Sequence, residues 1–104
     1  MMMGSPMRIR AQENNGIVEV KILIRHDMES GLRKGDDGQL IPAWYIHTLN
    51  VEAQGVEVFH AQLGPAVSRD PFIHFRYQGQ KGDTLVVTWK DTKDDSRRDE
   101  VVVS

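Results

Sequence analysis

The chain has 104 residues, 39% hydrophobic and 27% charged, with a formal net charge of −2. That describes one ordinary globular domain, long enough to build a core without disulfides or a structural metal, and it gives no electrostatic reason to expect nucleic acid as a partner. The absence of cysteine removes disulfides, thiolate metal sites and cysteine nucleophiles together, and no apolar run of roughly 18 residues predicts a membrane-spanning helix.

In chain order, Met1 to Pro6 lack an apolar h-region of about 7–15 residues and predict a flexible leader (1–6), which leaves a single folded domain at 7–104. Met7 to Gln12 predicts a short first strand. Asn14-Asn15-Gly16 predicts a hairpin corner, because Asn and Gly adopt positive φ at low cost. From Ile17 to Arg25, Val18, Val20, Ile22 and Ile24 alternate with Glu19, Lys21, Leu23 and Arg25 at period 2, the signature of a half-buried strand. β-Branched residues on the inner face strengthen that preference.

His26 to Leu40 keeps no period, and Gly31, Gly35, Gly38 and Asp36-Asp37 make it a loop or hairpin excursion. It exceeds the usual connection of about 6 residues, and loops of such length are usually either functional or disordered. Pro42 disfavours helix at Ile41. Trp44 to Ala53 predicts a second long strand, with Tyr45, His47, Leu49 and Val51 on one face and Trp44, Ile46, Thr48 and Asn50 on the other. Gln54-Gly55 turns the chain into a strand at Val56 to Leu63, stopped by Gly64-Pro65. Phe72 to Tyr77, Thr84 to Lys90 and Ser96 to Val103 complete the series. No apolar stripe at helical spacing appears. Seven strands punctuated by turns predict an all-β, immunoglobulin-like antiparallel β-sandwich without the immunoglobulin cysteine pair.

Chemistry is sparse. His26, His47, His60 and His74 form no H-x-H or H-x-x-x-H pair and predict surface or half-buried histidines rather than metal ligands. Superoxide reductases hold iron on such a sandwich with four histidines and a cysteine, and this chain lacks the cysteine. Ser30, Ser68 and Ser96 lie in no G-x-S-x-G elbow. Asp36-Asp37 and Asp94-Asp95 fall in polar turns, where aspartate serves the backbone. No phosphate-cradling glycine motif is present, so neither a catalytic residue nor a cofactor is expected.

Two apolar groups remain. Met28, Leu32, Leu40, Ile41 and Trp44 crowd the long loop and its return. Gly64-Pro65-Ala66-Val67 and Pro71-Phe72 crowd the connector before the fifth strand. They either seal the ends of the sandwich or form a patch for a protein partner, since large exposed apolar patches are atypical of monomers. The interface candidates are therefore Met28, Leu32, Ile41, Pro42, Trp44, Gly64, Pro65, Val67 and Phe72.

Six segments in order resemble the SoxZ family, the cysteine-free subunits of the SoxYZ sulfur carrier of bacterial thiosulfate oxidation. They are R-I-R-A-Q at Arg8–Gln12, H-D-M-E-S-G-L-R-K at His26–Lys34, I-P-A-W-Y-I at Ile41–Ile46, A-Q-L-G-P-A-V-S at Ala61–Ser68, P-F-I-H-F at Pro71–Phe75 and G-D-T-L-V-V-T-W-K-D at Gly82–Asp91. The resemblance implies an Ig-like sandwich and a non-enzymatic structural and docking subunit. Its partner would be a SoxY-like subunit that carries sulfur intermediates on a C-terminal cysteine. It implies transient visits from thiosulfate-oxidising enzymes of the Sox type (the haem protein SoxAX, the manganese hydrolase SoxB and the dehydrogenase SoxCD). It also implies a periplasmic address reached by co-export with the partner. No membrane partner is implied, and self-association of the isolated subunit stays open. A stand-alone Ig-like protein-binding module is the alternative, followed by a histidine-metal redox protein.

Overall fold

The computed structural model describes residues 4–104, so half of the expected leader, residues 1–3, lies outside the described residues. Residues 4–6 run beside the last strand, where the Gly4 N–H donates to the Ser96 carbonyl at 3.2 Å. Seven strands follow: β1 (Arg8–Asn14), β2 (Ile17–Leu23), β3 (Ile46–Ala53), β4 (Val56–Gln62), β5 (Phe72–Gln78), β6 (Thr84–Asp91) and β7 (Ser96–Val102). They form two antiparallel sheets, β1-β2-β5 and β4-β3-β6-β7. This is the immunoglobulin-like sandwich that the sequence predicts.

The two tight hairpins follow from their corners. Asn15 and Gly16 have φ of 54° and 82°, and Gln54 and Gly55 have 52° and 80°. Two consecutive left-handed residues are what a two-residue type I′ corner needs to match the strand twist. The corners fix the registers Asn14↔Ile17 and Ala53↔Val56. With register fixed, period-2 alternation carries Val18, Val20 and Ile22 inward from β2, and Leu85, Val87 and Trp89 inward from β6.

The third strand departs from simple alternation. It begins at Ile46 rather than Trp44, and Ile46 is buried on the same side as Leu49 and Val51, not opposite them. The cause is a register shift between Ile46 and Thr48 in the pairing with β6. One extra residue in a bulge reverses the parity of everything before it. The expected grouping of Ile46 with Thr48 and Asn50 is corrected accordingly.

The flanks of the sandwich close differently. At the β1/β7 flank the backbone crosses between sheets: Ser104 N–H donates to the Ala11 carbonyl (3.0 Å) and Glu13 N–H to the Ser104 carbonyl (2.9 Å). At the β4/β5 flank closure is by side chains, with Phe59 and Phe75 stacked at 4.3 Å between centroids. Between them lies a core of Val18, Val20, Ile22, Leu49, Val51, Leu85, Val87 and Trp89, each at most 1% exposed. Leu49→Ala, which opens a cavity at the centre of this layer, lowers the unfolding free energy by about 2–5 kcal/mol in urea titrations.

Candidate functional site: an anchored apolar arm

The segment between β2 and β3 is an ordered arm. Glu29 and Trp44 exchange backbone hydrogen bonds of 2.6 and 2.9 Å, and further out Ile41 N–H donates to Arg33 (2.8 Å) and Gly35 N–H to Gln39 (2.8 Å). The chain thus doubles back on itself as an irregular hairpin. Arg33 grips Glu29 through Nη2 and Nε at 2.6 and 3.2 Å. The Arg33 bonds outweigh partial desolvation and hold the Glu29 carboxyl below its ordinary range.

The arm is fixed at its base by one carboxylate. Asp91 is 1% exposed, and its Oδ2 accepts from His26 Nε2 (2.9 Å) and Trp44 Nε1 (2.7 Å). Its Oδ1 accepts from the backbone N–H of Lys93 (2.8 Å) and Asp95 (2.9 Å). Four donors meet one anion, two from the arm and two from the β6–β7 turn. The His26 Nδ1 accepts from Met28 N–H at 3.1 Å, which requires a lone pair on Nδ1 and assigns the proton to Nε2. Both ring nitrogens are therefore occupied. His26 also packs against Trp44 at 4.8 Å and edge-on against Trp89 at 5.2 Å, and Lys93 Nζ stands 4.2 Å over the Trp44 ring. The His26 backbone makes a reciprocal pair with Asp70: its N–H donates to Oδ1 (3.0 Å) and its carbonyl accepts from Asp70 N–H (2.9 Å).

The other histidines are dispersed. His74 bonds Glu19 at 3.1 Å, His47 bonds Thr48 at 2.7 Å and His60 lies 3.3 Å from Glu57. Among the described residues no group of three or more His, Cys, Asp or Glu side chains is placed to hold a metal ion.

The interface candidates separate into distinct environments. Leu32 is 83% exposed on the arm, with Pro42 exposed and Ile41 half-buried beside it in the chain. Trp44 is half-buried, its indole N–H committed to Asp91. Met28 is corrected: it is buried, and its sulfur accepts from Ile46 N–H at 3.3 Å. Its left-handed φ of 53° turns the side chain into the core rather than toward solvent. On the connector, Pro65 is exposed, while Gly64 and Val67 are half-buried, Val67 packing against the core. Phe72 is 59% exposed and lies opposite Leu23 on the outer face of the β1-β2-β5 sheet, apart from the arm's own strand pairing.

Sequence reasoning missed Asp91. The signal was available, because Leu85, Val87, Trp89 and Asp91 share one parity, and an aspartate that continues an apolar inward column marks a buried carboxylate in need of donors.

Comparison with known proteins places this geometry. The family model for the sulphur oxidation protein SoxZ matches residues 7–102. No curated protein sequence matches. Among solved structures, a superoxide reductase in the oxidised state aligns with a TM-score of 0.63 at 13% identity, covering 97% of this chain and 89% of that one. The reduced E12Q superoxide reductase (neelaredoxin) of Archaeoglobus fulgidus aligns at 0.63 and 16% identity, over 100% and 93%. The enzyme of Ignicoccus hospitalis aligns at 0.60 and 13%, over 97% and 82%. At such identities the likeness is one of fold alone.

The Asp91 carboxyl is held below its ordinary value of 3.8: burial opposes the charge, but the bonds from His26, Trp44 and the turn N–H groups outweigh it. A depressed folded pKa contributes stability that is present above the unfolded value and lost as pH falls through the folded one. Asp91→Asn substitutes a donor where donors converge and costs about 2–4 kcal/mol near neutral pH. In urea titrations repeated from about pH 3 to 7, the variant shows a shallower acid loss than the wild type.

Proposed function

Because the chain belongs to the SoxZ family of sulphur oxidation proteins, we propose that it is the non-catalytic docking subunit of a SoxYZ-type carrier, pairing with a SoxY-like chain whose C-terminal cysteine holds sulfur intermediates during thiosulfate oxidation. The observation that carries this reading is the arm. Leu32 and Leu40 are 83% and 58% exposed on a segment bridged by backbone bonds and locked at its base by Asp91. Holding large aliphatic side chains in water on an ordered support is unfavourable for an isolated monomer and suits a surface that a partner covers. A preformed arm also lowers the ordering cost of association.

Other features are consistent with a companion role. The polar cluster at the arm's base has its hydrogen bonds satisfied internally, leaving His26 no free nitrogen for acid–base work. A chain without cysteine cannot capture a sulfur-loaded tail by thiol–disulfide exchange. The periplasm, reached by co-export with the signal-bearing partner, is the compartment proposed with this role.

Co-expression with the cysteine-tailed partner followed by size-exclusion chromatography tests the proposal. A stable 1:1 complex is expected, and two separately eluting chains would overturn it in favour of a stand-alone binding module. Leu32→Asp, at an exposed position, leaves the urea midpoint unchanged and weakens the complex 10-fold or more.

A further inference from the structure

The outer face of the β1-β2-β5 sheet carries a pattern that the arm does not explain. The registers Arg8↔Leu23↔Phe72, Arg10↔Lys21↔His74 and Gln12↔Glu19↔Arg76 place these side chains on one surface, and Arg25 continues it past the end of β2. Arg8, Arg10, Lys21, Arg25 and Arg76 thus share a face whose paired positions hold one carboxylate, Glu19, and Asp27, beyond Arg25, is bonded to Arg69. The whole chain has 13 Lys and Arg against 15 Asp and Glu. The rest of the molecule is therefore left with eight cations against fourteen carboxylates, so that a formal +4 face sits on a remainder of −6.

The one carboxylate is already engaged. Glu19 Oε2 accepts from Arg76 (2.9 Å) and bonds His74 (3.1 Å), with Lys21 at 4.0 Å from Oε1. Arg8, Arg10 and Arg25 have no ion-pair partner among the described residues. Arg8 and Arg25 flank a groove of about 590 Å³ whose wall includes Leu23 and Pro6. At the same end of the sheet, Leu23 and Phe72 are 37% and 59% exposed. Apolar anchors beside unpaired arginines are the composition of a protein-recognition surface.

We propose that this face is a second docking surface, separate from the arm, that receives the acidic surface of a protein visiting the carrier transiently. The proposal rests on the carrier reading above and adds which side of the subunit faces the visitors. Charge selects the occupant. A second copy placed symmetrically would set arginine against arginine, since a two-fold interface repeats the same patch on both sides. A nucleic acid would meet Glu19 at the centre and bare Leu23 and Phe72 at the rim. An acidic protein surface pairs with the arginines, buries the apolar pair and is drawn in by long-range attraction.

Arg10→Glu/Lys21→Glu in the heterodimer with the cysteine-tailed subunit separates the outcomes. Light scattering reports whether the 1:1 pair forms, which tests the carrier reading by itself. Surface plasmon resonance against each purified thiosulfate-oxidising enzyme, at about 30 and 200 mM salt, reports docking. The expected result is an intact pair whose association rate with at least one enzyme falls 10-fold or more at the lower salt and loses its salt dependence. Arg8→Gln/Arg25→Gln gives the same direction by neutralisation, and Lys90→Glu, on the outer face of the other sheet, leaves the rate within about 2-fold. Unchanged rates, an equal loss with Lys90→Glu, tighter binding to duplex DNA than to any enzyme, or loss of the pair by a variant with a wild-type urea midpoint would each overturn it.

Discussion

The arrangement depends on a single buried anion. Asp91 ends β6, and its two oxygens gather donors from the turn that follows and from both roots of the arm. A carboxylate removed from water is costly unless its lone pairs are used, and here each oxygen has two partners. Asp91 therefore joins three segments distant in sequence, since any one of them moving away leaves a charge or a donor unsatisfied in the interior. Without that joint, the chain between β2 and β3 would have the local sequence of a flexible loop. With it, the loop becomes a support that presents Leu32 and Leu40.

Legibility from the sequence followed the range of the interactions. Alternation on β2 and β6 and the Asn-Gly and Gln-Gly corners are local, and they predict the strands and hairpins that the structure contains. The bulge in β3 was hidden because parity is a property of a pair of strands, and nothing in Trp44–Ala53 alone marks where an extra residue is accommodated. Met28 reads as surface in a polar stretch, yet a left-handed backbone and the His26 ring turn it inward. The arm's exposure was legible as an unplaced excess of apolar residues in a glycine-rich loop. Its anchorage was not, because the bonds from His26 and Trp44 to Asp91 span 65 and 47 residues.

The outer face of β1, β2 and β5 shows how the same alternation that buries the core also sorts charge. Once β1, β2 and β5 are in register, their outward positions have no choice but to share a surface, and arginines scattered over about seventy residues of sequence become neighbours. The mean charge of the chain conceals this. A formal −2 does not describe this face, and an inference drawn from net charge alone speaks to solubility rather than to recognition.

The unlike closure of the two flanks sets where the sandwich opens first. At β1/β7 the backbone is stitched across by hydrogen bonds at Ser104, so separation there must break directional bonds and expose paired amides together. At β4/β5 the seal is a stacked pair of phenyl rings between two edge strands, which can slip apart without breaking any backbone bond. Native fluctuations are thus biased toward the β4/β5 side, which makes it the molecule's vulnerable seam. Amide exchange in β4 and β5 should outrun that in β1 and β7, the edge strands of the stitched flank. The bared edges on that side are the ones along which a misfolded or overcrowded chain would find a second copy of itself.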